Sequence, residues 1–185
     1  TTKQVITNCL VNSDIKVDSL PFFDVDYLFI ALRGKSVGES VDVSFKCNNT
    51  VNGNTCGNIF DTKIDIANVK MIKDDSIDPK IKVSPTILVK MKYPNYQDMK
   101  VIMDSDTELN KKIHMIVASI EYIQEKEKVY TLKDMTRDEL YKFIEGLTQD
   151  QFKKLEIFVD NLPTFVVTAQ AKCDKCGFEH NLEYN

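Results

Sequence analysis

Arginine is nearly missing from this chain. Of its 24 basic residues only Arg33 and Arg137 are arginine, and the net charge is −4. The planar guanidinium is the side chain best suited to bidentate contact with phosphate and guanine, so this composition argues against a nucleic-acid surface. Long apolar runs are missing too. None approaches the roughly 20 residues that a membrane-spanning helix needs, and no signal-peptide pattern opens the sequence. Histidine is scarce. His114 and His180 are far apart, so a Ser-His or Cys-His pair would arise only by coincidence of folding. There is no Gly-x-x-x-x-Gly-Lys phosphate loop, no His-Glu-x-x-His and no nucleophile elbow. The carboxylate pairs Asp74-Asp75 and Asp104/Asp106 stand in polar segments, where turn and cap roles are the commoner use. These absences point to a chain that is not an enzyme and has neither a nucleic-acid nor a membrane partner.

What the chain does have is four cysteines arranged as two facing knuckles. Cys47 and Cys56 are separated by eight residues in Phe-Lys-Cys-(eight)-Cys-Gly-Asn-Ile-Phe, and Cys173 and Cys176 by two in Ala-Lys-Cys-Asp-Lys-Cys-Gly-Phe-Glu. Two cysteines two residues apart can grip one ion, because a tight turn brings both sulfurs to the same side. The residue after the second Cys then needs a positive φ, which glycine adopts without steric cost; Gly57 and Gly177 stand there. The eight residues from Asn48 to Thr55 have a solvated loop composition that can bulge away from the sulfurs. Both pairs lie between alternating runs: Val41, Val43 and Phe45 before the first and Ile59, Phe60, Ile64 and Ile66 after it, Thr164 to Lys172 before the second and Phe178 to Tyr184 after it. This is the pattern of a zinc ribbon, in which two hairpins give four thiolates to one tetrahedral Zn²⁺. Two disulfides, or four ordinary buried thiols, are the alternatives. A four-cysteine site has no open position for water or substrate, so the expected role of zinc is structural.

The remaining metal-type side chains are given other places. Cys9 lies at helical spacing with Val5 and Ile6 and is expected to be a small buried hydrophobe. Standing beside a metal-type quartet, it makes a reducing cytosol the expected compartment. His180 is an alternative ligand in place of a cysteine. It follows Glu179 on a strand, however, and the fourth cysteine makes it unnecessary, so it is expected at the surface. His114 lies in a helix without a metal-spaced partner.

At 185 residues the chain can bury a real core, and a single domain over 1–185 is expected. Its class is α+β: a discontinuous, zinc-ribbon-like β-unit from half-ribbons 41–66 and 164–184, with 67–163 inserted as an extended arm and helices. Thr1 to Leu10 reads as the tail of a helix whose beginning precedes the given sequence. Ser19 is the expected cap of the next helix, with Pro21 in its first turn, Val25, Leu28, Phe29 and Leu32 on its buried face and Gly34 near its end. Thr86 to Tyr93, among Pro79, Pro85 and Pro94, reads as an edge strand or extended arm. Three capped amphipathic helices follow. Ser105-Asp106-Thr107-Glu108 precedes Leu109, Ile113, Ile116, Val117, Ile120 and Ile123; Thr136-Arg137-Asp138-Glu139 precedes Leu140, Phe143, Ile144 and Leu147; Thr148-Gln149-Asp150-Gln151 precedes Phe152, Leu155 and Phe158, with Pro163 beyond. The last two mimic a helix-turn-helix, but Asp150, Lys153, Lys154, Glu156 and Asp160 give a mixed face rather than a basic one, so a packing hairpin is expected.

The run from Phe23 to Glu39, Phe-Asp-Val-Asp-Tyr-Leu-Phe-Ile-Ala-Leu-Arg-Gly-Lys-Ser-Val-Gly-Glu, leads straight into the first knuckle. With the Asn161-Leu162-Pro163 stop and the Cys-x-x-Cys-Gly ending, it resembles the baseplate hub and hub-assembly proteins of T4-like contractile-tailed phages. That resemblance spans about the whole chain and is most specific over 23–56 and 151–177. It implies an N-terminal segment before Thr1 and a non-enzymatic role in building the tail baseplate hub, in the virion or in the host cytoplasm during assembly. The implied partners are other baseplate and hub proteins, with possible oligomers inside the assembly. Members of that family differ in whether they retain all the cysteines, so the zinc expectation rests on the residues of this chain. Phe22, Phe23, Tyr27, Tyr93 and Tyr96 are candidate contact residues, since aromatics are enriched at interfaces. A zinc-ribbon nucleic-acid-binding module is the rival reading; it predicts salt-dependent binding to DNA or RNA.

Overall fold

The computed structural model describes residues 1–11 and 14–184. It mixes helix and sheet, in two compact units. The first unit takes in residues 3–25 and 73–163, and the second residues 26–72 and 164 onward.

The chain opens with α1 (Thr2–Cys9), whose N-terminus is closed by a capping box between Thr1 and Gln4. Cys9 is exposed, not buried as its spacing implied; Ile6 is the residue of this helix that turns into the core. Val17–Ser19 forms a short 3₁₀ turn, so Ser19 does not cap the next helix. That helix, α2 (Phe22–Val37), starts one residue after Pro21, whose carbonyl accepts from the N–H groups of Asp24 and Val25. It runs through Gly34 to Val37. Of its expected buried face only Val25 is fully buried, while Leu28 and Leu32 are half-buried and Phe29 is exposed.

Strands β1 (Ser40–Lys46), β2 (Thr50–Val51), β3 (Asn54–Thr55), β4 (Ile59–Asp65) and β5 (Lys70–Ile72) follow. Two more, β6 (Lys80–Lys82) and β7 (Ile87–Met91), lead to the helices α3 (Met99–Met103) and α4 (Glu108–Ser119). Then come β8 (Ile120–Glu125), β9 (Lys128–Thr131), α5 (Arg137–Glu145), α6 (Gln149–Asp160), β10 (Thr164–Lys172) and β11 (Glu179–Tyr184).

The first unit is built on an antiparallel sheet of order β6-β7-β8-β9 with α4 packed against α3, α5 and α6. Its core joins Val83, Val89 and Met91 to Ile116, Ile120, Leu140, Leu155 and Phe158. Three expectations change here. The segment from Thr86 to Tyr93 is neither arm nor edge: β7 is paired on both sides, with Val89 and Met91 fully buried. Pro85 and Pro94 lie just outside the strand, so they bound it without breaking its ladder. The first of the three helices is shorter than its apolar spacing implied. Thr107, not Ser105, caps it, accepting from the Asn110 N–H, and it stops at Ser119. Ile120 and Ile123 belong instead to β8, where pairing with β7 and β9 wins over helical propagation. The segment 67–163 is therefore sheet as well as helix. The capping boxes at Thr136 and Thr148 form as expected.

Phe23 is core in this unit, meeting Phe22 and Tyr93 edge-on at 5.6 and 5.1 Å. Tyr93, half-buried, in turn stacks on Phe158 at 6.1 Å. Phe22 and Tyr96 are half-buried.

In the second unit β1 pairs with β4, setting Phe45 opposite Phe60 and Val41 opposite Ile64. A second sheet has the order β11-β10-β5, and β10 lies against β4. Alternation buries Phe60 and Ile64 of β4 and sends their neighbours outward. Tyr27 is exposed and stacks on Phe165 at 5.1 Å.

Candidate metal centre

Each cysteine sits where a strand gives out. Cys47 follows β1, Cys56 follows β3, Cys173 follows β10, and Cys176 lies in the turn before β11. The two knuckles share one hydrogen-bond pattern. Cys47 N–H donates to the Asn58 carbonyl at 2.7 Å and Gly57 N–H to the Cys47 carbonyl at 3.0 Å. Cys173 N–H donates to the Phe178 carbonyl at 2.9 Å and Gly177 N–H to the Cys173 carbonyl at 2.8 Å. Gly57 and Gly177 take φ of 62° and 72°, the left-handed conformation that closes each knuckle. The eight residues inside the first knuckle fold out as the hairpin β2–β3, with Asn52 and Gly53 at its tip, both at positive φ, in the manner of a type I′ turn.

Packing β10 against β4 brings the two knuckles together. The four Sγ atoms all lie within 4.8 Å of one another, although Cys47 and Cys176 are 129 residues apart. Cys47 Sγ is 3.7 Å from Cys176 Sγ and Cys56 Sγ is 4.0 Å from Cys173 Sγ. None is in a disulfide. Four sulfurs at about 2.3 Å from a central ion stand roughly 3.8 Å apart at the corners of a tetrahedron. The quartet therefore has the donor set and the spacing to hold one metal ion.

The electrostatics favour the same reading. Cys47 and Cys173 are 0% and 1% exposed. Burial pushes the Cys47 thiol up to about 12; the Asn49 backbone N–H works against this, and the neighbouring thiols add to it. Burial also works against ionising Cys173, but the backbone N–H groups of Cys176 and Lys175 together with the Cys176 and Cys47 thiols hold it down at about 6. The Phe178 N–H lowers Cys176. Four thiols this close cannot all ionise unaided; a central dication removes that obstacle.

Three further residues complete the surroundings. The side-chain amide of Asn49 reaches Cys176 Sγ and that of Asn58 reaches Cys173 Sγ, each at 3.7 Å. His180, expected at the surface, is 5% exposed, with Nε2 3.2 Å from Cys47 Sγ. It is buried because β11 pairs it with Ala171 of β10, on the face turned toward Phe45 and Phe60. His114 is remote from this cluster in sequence and lies in the first unit, where its Nδ1 is 2.8 Å from Ser105 Oγ.

The family model described as T4 bacteriophage base plate protein matches residues 1–185. The chain belongs to that family. This phage base plate protein thus has a structural setting, and the cysteine cluster is a feature of its second unit. No curated protein and no solved structure matches it. Among the described residues, no helix of the base plate protein is long and apolar enough to cross a membrane.

Proposed function

We propose that this base plate protein is a non-enzymatic structural or assembly component of the tail baseplate hub of a contractile-tailed phage, held in shape by one Zn²⁺ on Cys47, Cys56, Cys173 and Cys176. The observation that carries the metal assignment is the convergence of four sulfurs within 4.8 Å from two distant knuckles of the same design. Four soft thiolates suit zinc, which takes such sets in its structural sites, and four protein ligands leave no position for a substrate. On this reading 41–66 and 164–184 are the halves of one zinc-ribbon-like β-unit and 67–163 is inserted between them. The ion clasps the ends of that insertion. Exposed side chains such as Tyr27 face neighbouring baseplate subunits, in the virion and during assembly in the host cytoplasm.

Elemental analysis of the purified protein tests the metal assignment. The expected result is one zinc per chain, released by a strong chelator together with loss of the β-unit. Protein that is folded and metal-free overturns it. Co-purification with tail proteins tests the assembly role, and absence from both virions and assembly intermediates counts against it.

A further inference from the structure

His180 stands beside the cysteine quartet without belonging to it. Its Nε2 is 3.2 Å from Cys47 Sγ, yet the group of mutually close ligand atoms contains the four sulfurs and not the imidazole. The ring is enclosed by three phenylalanines, with centroids 4.8 Å from Phe178, 5.0 Å from Phe45 and 6.0 Å from Phe60. The ring is buried among these side chains with its Nε2 against the sulfur.

The two knuckles differ in a way that gives this contact a purpose. In the tight knuckle, Cys173 Sγ takes backbone N–H groups from Lys175 and Cys176, two and three residues on. In the wide knuckle, Cys47 Sγ takes the N–H of Asn49, two residues on. The next residue, Thr50, has already entered β2 and pairs with Thr55. The imidazole of His180 adds a side-chain contact to the same sulfur. A thiolate has no hydrogen to give, so a favourable contact requires Nε2 to carry the proton and donate it.

We propose that His180 is a positioning residue of the metal centre: a buried N–H donor that fixes Cys47 Sγ and draws charge from it. This rests on the reading of the four cysteines as a zinc site. Four thiolates around a dication leave a net charge of about −2 in a buried place, and N–H dipoles aimed at sulfur are what stabilise it there.

The test uses Co²⁺ as a spectroscopic probe in the full chain, with His180→Phe, which keeps the aromatic bulk, and His180→Gln, which restores an amide donor. His180→Phe is expected to weaken metal binding about 10- to 100-fold in competition with a chromophoric chelator. It should also move the thiolate-to-cobalt charge-transfer band to lower energy, and His180→Gln should recover most of both. Wild-type affinity and band position in His180→Phe overturn the proposal, and so does a His180→Gln variant as impaired as His180→Phe in both readouts. A wild-type chain that takes up no Co²⁺ overturns the zinc reading and this inference with it. Should His180→Phe fail to fold, ¹⁵N NMR of the wild-type Zn²⁺ form decides: a slowly exchanging Nε2–H is expected, and a bare Nε2 overturns the proposal.

Discussion

Glycine shows how one residue type serves opposite ends in this chain. Gly177 has φ +72°, and a Cβ built there would meet nothing within 4 Å, so only the backbone conformation resists a side chain. Gly34 lies inside α2, also with open space around it and no unusual φ. Gly177→Ala is therefore expected to destabilise the second unit by roughly 1–2 kcal/mol, the cost of holding an L-residue in the left-handed region. Gly34→Ala should stabilise by roughly 0.5–1 kcal/mol, by removing a flexible residue from a helix interior. Urea midpoints of the two variants against wild type check both signs. The knuckle glycines and the cysteines were legible in the sequence because each knuckle is a local device, with its chemistry written in adjacent residues. His180 was not. Its neighbours in the chain, Glu179 and Asn181, are exposed, and its partner sulfur lies 133 residues away. Asn49, inside a stretch that reads as solvated loop, and Asn58 gave no local signal for the same reason, since the sulfurs they approach belong to the other knuckle.

Among the elements, α5 and α6 form a matched pair. Both open with a capping box, Thr136 with Glu139 and Thr148 with Gln151. Only the first can titrate. The Thr136 backbone N–H, and then its hydroxyl, hold the Glu139 carboxyl below its ordinary value of 4.5. A carboxylate whose pKa is lower in the folded state stabilises that state fully above its unfolded value. The contribution fades as pH falls from about 4.5 through the lower folded value. Glu139→Gln keeps the geometry of the box and removes the titration, so its stability should fall less steeply than that of wild type in thermal melts taken below pH 4.5. Thr136→Ala should cost about 1 kcal/mol at neutral pH by removing the cap itself. These helix starts were readable because a capping box is a four-residue signal. The end of α4 was not. Ile116, Ile120 and Ile123 keep a helical spacing past Ser119, and only the presence of β7 and β9 on either side turns Ile120–Glu125 into a strand. The same long-range pairing made an interior strand of Ile87–Met91, which the flanking prolines had presented as an edge.

At the scale of the whole molecule, the two units have unequal means of standing alone. The first unit's main cluster joins eleven buried side chains, from Val83 to Phe158, all but one of them aliphatic or aromatic without sulfur. The second unit's cluster around the metal centre has five buried residues: Phe60, Ala171, Leu182 and two of the cysteines themselves. A cluster that small supplies little hydrophobic free energy on its own, and small domains of this kind depend on a staple. On the proposed zinc reading the ion would provide one, because it would bind the assembled quartet and not the unfolded chain, so that its binding free energy would be folding free energy. Chelation should accordingly act on one unit at a time. Hydrogen exchange before and after removal of zinc is expected to show lost protection in β1, β4, β10 and β11, with β7, β8, α4 and α6 still protected. Loss of protection throughout both units would mean that the first unit's core does not suffice by itself. Unchanged protection in β1 and β10 would mean that the sulfurs gather without needing an ion, and the cysteine cluster would then be a packing feature of the base plate protein.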